Sequence, residues 1–137
     1  MCLTRVTSTK TKTKKDGSCY IGYKVVVLSK TGKTFSSLYN VNRSFLKWLK
    51  SRSNNEIEAK DNKLYKNGFH VWTSKKAAQK YKQDGEIICY VLFTKIIAEG
   101  IEDIYNLNKH EIDYNYRCVV TDKIFVLPPN YKVLKKE

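Results

Sequence analysis

The chain has 137 residues, 42% of them apolar, with 26 Lys and Arg against 13 Asp and Glu and a formal net charge of +13. This size and apolar content exclude a disordered chain and suit a single domain over residues 1–137, able to bury a core without metals or disulfides. No apolar run nears the roughly 20 residues that cross a bilayer as a helix, and the first residues lack the apolar core of a signal peptide, so a cytoplasmic protein with no membrane partner is expected.

From the N-terminus, "MCLTRVTS" carries apolar residues at Cys2, Leu3 and Val6 and reads as a short strand. The cationic stretch at about 9–17 extends a strand edge or forms a basic loop, ending in the turn pair Asp16-Gly17. Two strands meet at Lys30 to Lys33, and the run Tyr23 to Leu28, apolar apart from Lys24, reads as a central strand. Apolar positions 41, 45, 46, 48 and 49 have helical spacing, with Asn42 as an N-cap and Arg43, Lys47, Lys50 and Arg52 on the polar side. A polar connector follows, with one strand-like island at Ile57. Gly68 opens a strand in which Phe69, Val71 and Thr73 share one face and His70 and Trp72 the other. Ser74 caps a helix whose Ala77, Ala78 and Tyr81 point inward, and Asp84-Gly85 ends it. Ile87 to Phe93 is the most apolar strand, with an extended piece near Ile96. Residues 101–113 read as polar and irregular with a helical turn, and a strand or hairpin then runs to Pro128, before a polar tail at about 130–137. The order predicts an α+β domain, with a mixed or mostly antiparallel sheet and two short helices.

The charge is uneven. Residues 1–82 hold 19 Lys and Arg against 4 Asp and Glu, whereas residues 83–137 hold 7 against 9. Such asymmetry suits a polyanionic partner: an anionic small molecule, nucleic acid, or an acidic protein. Cys89 and Cys118 lie in apolar strand patterns and read as reduced core thiols, while Cys2 and Cys19 approach each other if the N-terminus folds back. No Cys or His stands at metal-ligand spacing, so neither metal nor cofactor is expected. "KTGKT" (Lys30 to Thr34) lacks the first glycine of a phosphate loop. Glu99, Glu102 and Asp103, with His110 and Glu111 nearby, read as a solvated loop. No catalytic triad signature accompanies His70, so it is weighed as a base, a ligand contact or a structural residue. Trp72 either stacks a base or joins the core, and Ser74, Lys75 and Lys76 form a candidate phosphate seat at a helix start.

The opening Met1-Cys2-Leu3, then "GYKVV", "SSLYN", "NGFHVWTSKKAAQKY", "AEG" and "YRCVVTDKIFVL" resemble a family of small uncharacterised proteins from phages and mobile elements. The chain departs from that pattern at Ser37-Leu38-Tyr39 and at Val120 to Ile124. The motif order is also similar to ADP-ribosyltransferase-like folds, except that Asp122 stands where a late glutamate is required. The first resemblance implies a phage origin, where small proteins without catalytic signatures act by binding. The leading expectation is a non-enzymatic counter-defence protein in the host cytoplasm that sequesters a nucleotide-like immune signal, of cyclic nucleotide or ADP-ribose type. Its ligand set would be Lys24, Tyr39, Arg43, Lys47, His70, Trp72, Lys75, Lys76 and Arg117. The alternatives are a binder of nucleic acid, an inhibitor of a host defence enzyme that binds nucleic acid, or a degenerate or divergent transferase-like enzyme; self-association is compatible with each.

Overall fold

Tyr, Val, Ile and Phe recur at alternating positions, and such side chains favour a pleated, half-buried backbone. The computed structural model describes residues 3–36, 42–52, 55–106 and 111–129, the side chains of 104–106 and 111–115 excepted. Fourteen strands and one helix lie within them. The first half supplies β1 (Arg5–Ser8), β2 (Lys12–Thr13), β3 (Tyr20–Leu28), β4 (Thr34–Ser36), β5 (Arg43–Ser44), β6 (Trp48–Lys50), β7 (Glu56–Glu58) and β8 (Leu64–Lys66). β9 (Phe69–Trp72) leads into α1 (Lys75–Tyr81). β10 (Ile87–Phe93), β11 (Lys95–Ile96), β12 (Ala98–Asn106), β13 (Glu111–Thr121) and β14 (Lys123–Val126) complete the order.

The main sheet is antiparallel and runs β1-β12-β13-β9-β3-β10-β14-β6, with β4 on the end of β3 and β5 on β4. β2 with β11, and β7 with β8, form two small ribbons. Each face of the sheet carries a core. Along β10, Ile88 and Tyr90 join one core, while Ile87, Cys89, Val91 and Phe93 join the other. The first core gathers Tyr23, Trp72 and Val120 beneath Ala77 and Ala78 of α1 and Ile57, Ala59 and Tyr65 of the β7–β8 hairpin. The second holds Val26, Val71, Val119 and Val126 with Phe35 of β4 and Leu49 of β6. Each fully buried Val or Leu contributes about 1.5–3 kcal/mol. Gly22 permits the tight contact of β3 and β9, since a Cβ there would meet Val71 Cγ1 at 2.3 Å.

The expected α+β class with two helices is corrected to a sheet-dominated fold with one helix. α1 forms where expected: Ser74 Oγ accepts the Ala77 N–H at 3.2 Å, and Ala77 and Ala78 are buried. The segment expected as a helix after Asn42 instead forms β5 and β6. Its apolar pattern is shorter than the 12–15 residues or so that sustain a helix without tertiary support. The unpaired edge of β14 offers a full ladder instead, pairing Lys123, Ile124 and Phe125 with Lys50, Leu49 and Trp48. Leu46 turns the chain into that edge at φ 56 and donates its N–H to the Val126 carbonyl at 2.9 Å. Of the stretch expected as irregular over 101–113, residues 101–106 and 111–113 belong to the long β12–β13 pair, and His110 lies outside the described residues.

Candidate functional site

Three of the residues expected at a ligand turn inward. β9 places His70 and Trp72 in the first core, 5% and 1% exposed. Trp72 packs against Tyr81 of α1, with ring centroids 5.4 Å apart. His70 Nε2 lies 2.9 Å from the Tyr65 hydroxyl, which accepts the Leu3 N–H at 3.0 Å. The direction of the Tyr65–His70 hydrogen bond follows the imidazole tautomer, since the hydroxyl can donate to Nε2 or accept from it. Burial first, and then the Lys24 charge, push His70 down to about 3. The pairing of β3 with β9 is confined to Tyr23 and Trp72, and Lys24 Nζ donates to the His70 carbonyl at 3.1 Å beside that single bridge. Burial lowers the Lys24 pKa, against the charges of Cys118 and Glu102.

Glu102 belongs to the same interior. It is buried on β12 rather than solvated in a loop, and its Oε2 finds no hydrogen-bond partner among the described residues. Burial raises its carboxyl to about 7. Glu99, also expected in a solvated loop, is buried and receives Lys12 Nζ at 2.8 Å and the Arg117 guanidinium. Burial alone would raise its carboxyl, but the hydrogen bonds from Lys12 and Arg117 outweigh it and hold the pKa below the ordinary value. Arg117 is thereby committed to an internal partner. Cys89 and Cys118 are buried free thiols, both pushed up by burial, Cys89 to about 12.

The remaining expected residues do not converge on that interior. Lys75 and Lys76 stand exposed at the start of a seven-residue helix whose Ser74 hydroxyl is already used as its cap. Arg43 is half-buried over the Phe69 ring at 6.0 Å, and Lys47 is exposed beside Trp48. Tyr39, like Cys2, lies outside the described residues. Among the described residues no group of His, Cys, Asp and Glu is arranged to hold a metal, and no helix is long and apolar enough to cross a membrane.

A different surface combines aromatic rings with exposed cations. The registers place Trp48 opposite Phe125, Phe125 opposite Leu92, and Leu92 opposite Ile21, one row across β6, β14, β10 and β3. Alternation turns this row away from the second core, into which Leu49, Ile124 and Val91 point. Trp48 is 43% and Ile21 40% exposed, and the Trp48 and Phe125 rings meet at 5.5 Å. The adjoining register puts Lys50 directly opposite Lys123, both exposed, with Lys123 Nζ 6.0 Å over the Trp48 ring. Like charges facing each other across a ladder destabilise it, and the neighbouring Asp122 turns its carboxylate to Lys95, 3.7 Å away. Lys47 and Arg52 add exposed charge at the same edge. Helical spacing concealed this surface in the sequence, because a helix would have turned Trp48 inward. The discernible signal was the alternation of Trp48 and Lys50 about Leu49, matched by Lys123 and Phe125 about Ile124. Compared with protein-family models, curated proteins and solved structures, the chain matches none.

Proposed function

We propose that the protein binds a nucleotide-like anion, without turnover, on the outer aromatic and cationic face of β6 and β14. The observation that carries this reading is the open Trp48–Phe125 pair bordered by Lys50 and Lys123. An exposed indole can stack a purine or pyrimidine, and ammonium groups beside it neutralise phosphates. The two opposed lysines gain most from such a ligand, since an anion between them removes their mutual repulsion. This face takes the stacking role for which Trp72 was a candidate, the Trp72 ring being sealed in the core. The resemblance to small phage proteins supports a counter-defence setting in which the anion is a host signal held out of circulation.

Calorimetric titration with AMP, ADP-ribose and a cyclic dinucleotide at low salt tests this reading. Saturable binding is expected for at least one. Trp48→Ala should weaken it by about 5- to 150-fold, the equivalent of roughly 1–3 kcal/mol of base stacking. Lys75→Ala, at the exposed start of α1, should leave it unchanged. Binding that ignores Trp48→Ala, or no binding to any of the three, contradicts the proposal.

A further inference from the structure

We infer that the natural ligand of this face is a single-stranded polynucleotide, laid across the row from Trp48 to Ile21. The inference rests on the nucleotide-binding reading above and extends it from one base to several. Two strands, β14 and β10, lie between Trp48 on β6 and Ile21 on β3, so the row covers three strand spacings, roughly 14 Å. A mononucleotide would cover only the Trp48–Phe125 end. It would leave Leu92 half-exposed and Ile21 open to water. A four-stranded sheet face of this kind has room for about two or three bases stacked side by side.

The charge distribution selects the occupant. A second copy of this chain seated on the same face would have to bring its own Lys47, Lys50, Arg52 and Lys123 close to these, which costs energy. A polyanion meets the same residues with opposite sign. A duplex keeps its base faces sealed within the stack, so its phosphates can reach the lysines but its bases cannot reach Trp48 or Ile21. Of these three occupants, the unpaired strand satisfies the apolar row and the cationic border together.

The test is a length series of unpaired thymidine and uridine oligomers, from one to six nucleotides, with a hairpin duplex as comparison. Each is measured by polarisation against the native protein, Ile21→Glu and Ile21→Thr, with circular dichroism verifying the fold of both variants. Affinity should climb at least tenfold from one nucleotide to three, then rise only with the number of overlapping registers. Both Ile21 variants should bring the trimer toward mononucleotide affinity while mononucleotide binding stays as it is. If one nucleotide binds as well as three and the Ile21 variants change nothing, the polynucleotide inference is overturned and the nucleotide reading stands. If no length binds, both are overturned. Equal affinity for the hairpin duplex overturns the inference, as does a homodimer in sedimentation that Trp48→Ala disperses and oligomers leave intact.

Discussion

Glu102 and His70 share one interior but respond to pH in opposite directions. The folded chain holds the Glu102 proton up to about 7, against an ordinary value of 4.5. As pH rises between those values the unfolded chain releases that proton first, so folding loses stability across the window, by up to about 3 kcal/mol. His70 is held neutral down to about 3, against an ordinary 6.5. As pH falls from 6.5 the unfolded chain takes up the proton first, and stability is lost on that side instead. Glu102→Gln should therefore raise unfolding free energy at pH 8 by about 2–3 kcal/mol and change it little at pH 4. Denaturant titrations at the two values check this, and an equal change at both would remove buried ionisation as the cause. Sequence alone could not reveal this cluster. Glu102 stands in a run of acids that looks solvated, and its burial follows from α1 and the β7–β8 hairpin packing over the same face of the sheet.

At the scale of elements, the readable parts were those specified locally. β3 and β10 are long apolar runs, β9 opens after Gly68, and Ser74 with two alanines defines α1. The misread parts depend on partners distant in sequence. β6 exists because β14, more than 70 residues later, lacks a neighbour on that side. β12 carries Glu99 on one face and Glu102 on the other, so its alternation is masked until the register is known. Leu46 distinguishes the two readings of residues 42–52 by experiment. At φ 56 it bears a conformation that costs a residue with a Cβ roughly 1–2 kcal/mol, a cost glycine escapes. Leu46→Gly should leave stability unchanged or raise it by up to about 1 kcal/mol. In a helix the same change would lower stability by about 1 kcal/mol, so a fall in melting temperature would contradict the strand assignment.

For the whole molecule, the sign and placement of charge govern what it meets. A surplus of 13 positive charges on 137 residues draws any polyanion toward it, but only a face that also offers an open ring can hold a base. Binding of an unpaired strand by about three lysines should fall with salt at a logarithmic slope near −2, since each neutralised phosphate of a single strand contributes about −0.7. Lys50→Gln with Lys123→Gln should flatten that slope by about 1.4, and a slope unmoved by the pair would shift the contact elsewhere on the basic surface. The two tryptophans provide the most direct measurement, because Trp48 is 43% exposed and Trp72 only 1%. When an unpaired oligonucleotide is added, native emission should be quenched in part, losing its red-shifted share, and recover as salt is raised. Trp48→Phe should show only the buried, blue-shifted indole and no response. Quenching that survives in Trp48→Phe, or native emission that stays constant while the oligonucleotide is bound, would contradict a ligand stacked on this face.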